Sequence, residues 1–321
     1  DGNILAIGVP RDDGPTNNLS RVGKVLIYDY VETRNPQWLQ LGNDIGGNQQ
    51  AEDTGYSVSL NADGTIVAIG AFANNNINGE NAGCVRVYDY VQGRSPKEWD
   101  QLGDDILGET GSNHLGQSVS LSADGTIVAA GSVYNDGGGK GSSTGHVRVY
   151  KWNDSAWNQL GDDIDGEAQN DYSAWSISLS DDGTILAIGA IYNDGVSTNS
   201  NDNRGHVRVY NYVEGRSPKE WEQLGTDIDG EGAGDVCGHS VSLNADGTIL
   251  AIGSPYNNNY NGHARVYQYI DNDWDEVIDN IDGEASGYFG SRVSLSKTGS
   301  ILFVGAPNEN SGRVYAYKLI E

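Results

Sequence analysis

The sequence predicts an all-β fold, and three observations carry that expectation. Forty-five glycines among 321 residues supply many tight turns. Three Phe and no Met leave little of the flexible apolar filling that helical cores draw on. Above all, one motif returns six times, as DGNILAIGVP, NADGTIVAIGA, SADGTIVAAGS, SDDGTILAIGA, NADGTILAIGS and SKTGSILFVGA. Its turn glycine falls at Gly2, Gly64, Gly125, Gly183, Gly247 and Gly299, at intervals of 62, 61, 58, 64 and 52 residues. That period is somewhat longer than a WD40 blade and far beyond a leucine-rich repeat, so a β-propeller of four-stranded antiparallel blades fits. One domain over 1–321 is expected, with repeat units near 1–56, 57–117, 118–175, 176–239, 240–292 and 293–321.

Within a unit the strands read in order. SVSL alternates small polar with apolar residues, as a half-buried strand does, and TIVAIGA is apolar almost throughout, as a strand covered on both faces is. The two join through Ala-Asp-Gly, read as a two-residue turn of primed type with positive φ at the glycine. After a loop rich in Asn, Asp and Gly comes a third strand, CVRVYDY, HVRVYKW, HVRVYNY or HARVYQY, rich in β-branched and aromatic residues. A fourth follows as WDQLGDDI, WNQLGDDI or WEQLGTDI. Its recurring Trp38, Trp99, Trp157, Trp221 and Trp274 read as packing residues between blades. The second and third strands occur six times and the first and fourth five times, which gives six visible blades, or seven if the natural chain is longer.

Composition narrows the function. Nineteen Lys and Arg against 45 Asp and Glu leave a net charge of −26, which repels nucleic acid and anionic membranes and attracts cations. Apolar runs of 18 residues and a signal-peptide pattern are both absent from the sequence, so direct membrane insertion is not expected. Cys84 and Cys237, 153 residues apart in different repeats, read as buried free thiols. Asn18-Leu19-Ser20 and Asn153-Asp154-Ser155 are glycosylation sequons. With the acidity and the Asn-rich loops, they point to an extracellular or cell-surface protein.

The last unit reads YFGSRVSLSKTGSILFVGAPNENSGRVYAY, with Phe289-Gly290 ahead of its first strand and Gly305-Ala306-Pro307 ending its second. It resembles the FG-GAP repeat of integrin α-chain propellers and of FG-GAP-like microbial surface proteins. The resemblance runs through all six units, although Phe-Gly becomes Gly55-Tyr56, Leu115-Gly116, Ala174-Trp175 or Cys237-Gly238 elsewhere. It implies a propeller that binds partners on its loop faces, and in many family members a calcium loop Asp-x-Asp/Asn-x-Asp-Gly between strands one and two. Here Leu121 and Ser122 precede Ala123-Asp124-Gly125, so one carboxylate stands where the six to eight oxygens of calcium would need several.

The loops after strand two hold the variable chemistry, and Asn, Asp and Tyr there suit carbohydrate or calcium. Tyr134, Tyr192 and Tyr256 and the Asn-Asp-Gly residues Asp136 and Asp194 are the candidate ligand-binding residues. A second acidic cluster follows strand four, and in it Asp162, Asp163, Asp165 and Glu167 are candidate cation ligands. The scaffold alternative is stronger: the recurring Glu would accept from backbone N–H groups or from Arg86, Arg148, Arg208, Arg265 and Arg313. His146, His206 and His263 share one repeat position with Cys84 and Lys24, which speaks against a zinc site or proton relay, and His114 and His239 show no partner. Gly141-Ser142-Ser143-Thr144-Gly145 matches a hydrolase pattern but lies in a loop between strands instead of at a strand-to-helix elbow. No unit stands apart by a catalytic pair or a cofactor motif, so neither catalytic residues nor an organic cofactor is assigned.

The expected function is therefore non-enzymatic: an adhesion or ligand-binding propeller that presents Asn/Asp-rich loops to a glycan or an extracellular protein, with calcium as the candidate ion. The alternative is a structural subunit of an extracellular filament or coat, joined to neighbouring copies through propeller faces and strand completion.

Overall fold

Alternation, turn glycines and β-branched runs fold each repeat into an antiparallel meander. The computed structural model describes residues 2–14, 20–91, 98–195, 201–216, 220–284 and 286–319. Among these, the helical turns are Gly137–Gly139 and Asn257–Tyr260, and none is long or apolar enough to cross a membrane. Six antiparallel sheets follow one another along the chain, the blades of a β-propeller. Contacts divide the chain into two compact units, Asp1–Asn135 with Arg148–Leu160, and Asp136–Val147 with Gly161–Glu321.

The fifth sheet shows the pattern in full. Ser240–Leu243 pairs with Ile249–Ser254, which pairs with His263–Ile270, which pairs with both Asp273–Glu276 and Ile281–Asp282. The fourth strand is thus broken in two, where the sequence suggested one run. The cause is visible in the preceding sheet, where Trp221–Gln223 and Ile228–Asp229 flank Gly225 at φ +77°. A left-handed residue lifts the chain off the ladder between the two segments. The first sheet holds Ile4–Val9, Lys24–Val31, Gln37–Gln40 and Ile45–Gly46, and the last holds Arg292–Leu295, Ile301–Ala306 and Arg313–Lys318.

The Asp-Gly turn departs from the primed geometry. Ser122 N–H donates to the Ile127 carbonyl at 2.9 Å and Gly125 N–H to the Ser122 carbonyl at 3.0 Å, and within the loop only Gly125 has a positive φ, +73°. The loop therefore has four residues, and Asp124 shapes it by accepting from the Thr126 N–H at 2.9 Å and hydroxyl at 2.8 Å.

Burial follows from sheet laid on sheet. Val67 and Ile69 on the second strand of the second sheet are 0% and 1% exposed, in a cluster with Val25, Ile27, Ile45 and Trp99. Their counterparts Leu5 and Ile7 in the first sheet are 41% and 40% exposed, so the neighbouring sheet provides the burial and the strand itself does not. Inner strands of adjacent sheets are linked by serine: Leu121 N–H donates to Ser59 Oγ, Leu243 N–H to Ser178 Oγ and Leu295 N–H to Ser242 Oγ, each at 3.0 Å. Outer strands are linked by tryptophan, as expected. Trp99, Trp157 and Trp274 donate their indole N–H to the carbonyls of Leu41, Leu102 and Leu224 in the preceding repeat, at 2.9, 2.8 and 2.8 Å. Trp38 differs, half-exposed beside Tyr30.

Candidate functional site

In each meander the face opposite the Asp-Gly turns carries the ends of the second strands, the starts of the third and the loops between them. In the second unit this face gathers tyrosines. Tyr192 and Tyr256 stand two residues beyond a second strand, Tyr172 and Tyr288 stand ahead of a first, and Tyr260 closes the turn Asn257–Tyr260. Ring centroids lie 5.2 Å apart for Tyr172 and Tyr192, and Tyr256 lies 5.5 Å from Tyr260 and 5.4 Å from Tyr288. Tyr192, Tyr256 and Tyr260 keep 40%, 38% and 45% of their surface exposed. Partial burial, then the neighbouring Tyr288, Tyr192 and Tyr260, push the Tyr256 hydroxyl up, so it stays a neutral donor. Below the rings, Asn193 Nδ2 donates to Asp171 Oδ2 at 3.0 Å and Asn257 Nδ2 to Asp235 Oδ2 at 3.1 Å.

The first unit has a counterpart in Tyr56, Phe72, His114 and Tyr134, with successive centroid distances of 4.3, 5.3 and 4.8 Å. His114, without a partner in the sequence reading, is thus one of an aromatic row, and burial lowers its pKa. The missed signal was a column: His114, Tyr172 and Tyr288 stand two residues ahead of Gly116, Ala174 and Gly290, the same position of three repeats. All three have positive φ, at 60°, 54° and 53°. Left-handed backbone at non-glycine residues is uncommon and marks positions held by their surroundings.

Beside the tyrosines lies a polar column at the start of the third strands. In the first repeat Lys24 Nζ sits 3.2 Å from both Asp12 and Asp44. In the second, Cys84 takes the position, and burial pushes its thiol up to about 12, which leaves it inert. Cys237 is also buried and free, and its sulfur accepts from Arg265 at 3.2 Å. In the second unit the position is histidine. His146 Nδ1 lies 3.7 Å from Asp163 and 4.0 Å from Asp165, and His263 Nδ1 lies 3.5 Å from Glu231. His206 Nδ1 lies 3.9 Å from Glu167 and 3.8 Å from Asp227.

The predicted cation ligands are therefore divided between two imidazoles, with Asp163 and Asp165 at His146 and Glu167 at His206. Asp162, Asp163 and Asp165 also line a cleft with Lys140, Arg208 and Tyr210. The Glu–Arg scaffold holds for Glu52, which accepts from the N–H groups of Asn48 and Gln49 at 3.1 and 2.9 Å and pairs with Arg86. It holds for Glu109 with Arg148 and is looser for Glu167, 3.6 Å from Arg208. Arg265 departs from it, donating to the Asp229 carbonyl at 2.8 Å. Arg313 pairs with Glu309 at 3.0 Å.

Of the loop picks, Tyr192 and Tyr256 belong to the tyrosine group and Tyr134 to the row of the first unit. Asp194 braces its own loop, accepting from Asn203 N–H at 3.0 Å. Asp136 is exposed, and its carbonyl accepts from Lys140 N–H at 2.9 Å. Asn153 is exposed on a hairpin, its amide oxygen accepting from Ser155 Oγ at 2.8 Å, whereas Asn18 lies outside the described residues. His239 Nδ1 lies 3.3 Å from the Ser291 carbonyl and its ring 5.8 Å from Trp175.

No protein-family model matches the chain, and no curated protein matches it, so the FG-GAP likeness rests on the motifs quoted above. Solved structures do match. The chain is similar to a "putative 6-phosphogluconolactonase" of Bacteroides fragilis at 14% identity and TM-score 0.62, covering 99% of this chain and 78% of that one. A "putative 6-phosphogluconolactonase" of Bacteroides uniformis matches at 13% and 0.59, covering 98% and 82%. The hydrazine synthase of Kuenenia stuttgartiensis matches at 13% and 0.59, covering 99% and 81%. At such identity the likeness shows the fold: six antiparallel sheets in succession, a β-propeller.

Proposed function

We propose that the protein is a non-enzymatic ligand-binding propeller of the cell exterior that holds a glycan on the tyrosine group of its second unit. The observation that carries this reading is the cluster of half-exposed rings Tyr192, Tyr256 and Tyr260 over loops braced by Asn193 and Asn257. A sugar ring offers a C–H face to an aromatic ring and hydroxyls to amides and carboxylates. Flat, stiff tyrosines that keep a neutral hydroxyl meet both demands at little entropic cost. Exposed rings also have a solvation reason to be covered. The acidity and the exposed Asn153 sequon support an extracellular setting.

Glycan-array binding followed by titration tests the proposal. Tyr192→Ala and Tyr256→Ala are each expected to weaken the best glycan by about two- to tenfold, the worth of one aromatic contact. Because the structural neighbours include proteins described as lactonases, hydrolysis of 6-phosphogluconolactone is measured in parallel. Turnover there, or an array without hits, would replace the binding reading.

A further inference from the structure

The polar column holds a site that sequence spacing hid, because its three side chains come from two consecutive repeats. His206 opens the third strand His206–Tyr212, Asp227 sits just before the paired segment Ile228–Asp229 of the same sheet, and Glu167 arrives from the preceding repeat. We propose that Glu167, His206 and Asp227 bind a divalent transition-metal ion of the zinc class, through His206 Nδ1 and one oxygen of each carboxylate.

Four observations converge on this ion. The first is geometry: one ligand atom from each residue lies within 4.8 Å of the others, with His206 Nδ1 3.9 Å from Glu167 Oε2 and 3.8 Å from Asp227 Oδ2. A tetrahedral ion with bonds near 2.0–2.2 Å holds neighbouring ligand atoms about 3.3 Å apart, so closing the site takes roughly half an ångström at His206 and at most about 1.5 Å between the two partly exposed carboxylates.

The second is the state of the imidazole. His206 is 1% exposed, and among the described residues neither of its ring nitrogens has a hydrogen-bond partner, although buried polar atoms are almost always paired. Nδ1, the ring nitrogen that faces both carboxylates, is thus a buried atom held 3.9 Å from Glu167 and 3.8 Å from Asp227.

The third is charge. Glu167 and Asp227 bring two carboxylates to one imidazole, and their neighbours offset this only in part. Arg208 Nη1 stands 3.6 Å from Glu167 Oε1, and Asn193 Nδ2 donates weakly to Glu167 Oε2 at 3.4 Å. Both carboxylates remain partly open to solvent, which provides an entry path.

The fourth is comparison among repeats. In the first repeat the same position is Lys24, whose ammonium lies 3.2 Å from Asp44, the counterpart of Asp227. There the column supplies its own cation. At His206 an imidazole stands where the ammonium stood, and the cation must come from solution. At His263 the counterpart of Asp227 is Asn280, whose Nδ2 donates to both oxygens of Glu231 at 3.1 Å, so the third ligand is lost.

The donor set selects the ion: imidazole nitrogen with two carboxylate oxygens suits zinc, cobalt or manganese, whereas calcium takes six to eight oxygens. The test is titration of Zn2+ alone into the full chain at pH 7, with Co2+ as a visible probe and Ca2+ as control. Wild type is expected to develop the intense Co2+ absorption of a four-coordinate site. Asp227→Asn and Glu167→Gln, both at solvent-accessible side chains, should each remove one Zn2+ equivalent or weaken it by more than about 100-fold, since losing a ligand outweighs losing its outer-shell support. Asn280→Asp should add one equivalent at His263. Unchanged Zn2+ affinity and Co2+ spectrum in both loss variants would overturn the site, as would binding of Ca2+ in preference to Zn2+. Circular dichroism of each variant separates ligand loss from misfolding.

Discussion

At the residue scale, the Asp of the repeated turn is engaged by its own loop. Asp246 accepts from the Thr248 hydroxyl at 2.6 Å and from its N–H at 3.1 Å, and the hydroxyl bond leads the effects that hold its carboxyl below the usual range. Asp63 and Thr65 repeat the arrangement, with the Thr65 hydroxyl again the leading cause. Asp246→Ala is expected to cost about 1 kcal/mol in urea unfolding at pH 7, the net value of such a hydrogen bond. The folded pKa is depressed, so the turn contributes fully above the unfolded value near 3.9 and loses that contribution as pH falls through the lower folded value. The gap between mutant and wild type should therefore narrow as pH falls through the depressed folded value. Gly189 shows the other demand at this scale: a Cβ there would stand 2.1 Å from the Gly238 carbonyl oxygen, so the glycine of the Ala-Ile-Gly run and that of the Phe-Gly motif lie face to face.

At the element scale, serine and tryptophan do complementary jobs at the inner and outer strands. Trp274→Phe keeps the ring but removes the donor to the Leu224 carbonyl, and should cost about 1–3 kcal/mol by leaving that acceptor unmet and the slot underfilled. Ser242→Ala removes the acceptor for Leu295 N–H and should cost a similar amount, with both variants measured by denaturant midpoint. Strand order and the role of tryptophan were legible because period-two alternation and large aromatic side chains write themselves into one repeat. The serines were legible only as the polar half of SVSL, since their partners lie in the next unit. The break in the fourth strand was hidden because Leu224-Gly225-Thr226-Asp227 continues an acceptable strand pattern until the positive φ of Gly225 is known.

At the scale of the whole molecule, pH acts through buried neutral histidines. Burial, then Arg208, lowers His206 to about 3, and burial, then Arg292, lowers His239 to about 4. Unfolded imidazoles take up protons near pH 6.5, so the unfolded state binds more protons across the interval between. Stability is fully present above about pH 6.5 and falls as the pH drops toward the folded values. Urea midpoints at pH 7.0, 5.5 and 4.5 should decline steadily, and His239→Gln should flatten that slope. The candidate sites were half-legible for a related reason. Tyr192 and Tyr256 stood out in their loops, but the companions of His206 lie 39 residues before it and 21 after it, and no local pattern joins them.

The indole bonds of Trp99, Trp157 and Trp274 have an optical consequence. Each couples a fluorophore to the carbonyl of the repeat before it, in a position that changes polarity when that one seam opens. Proteins retaining a single tryptophan would give each seam its own emission signal, so the order in which the seams part under denaturant could be followed by colour alone.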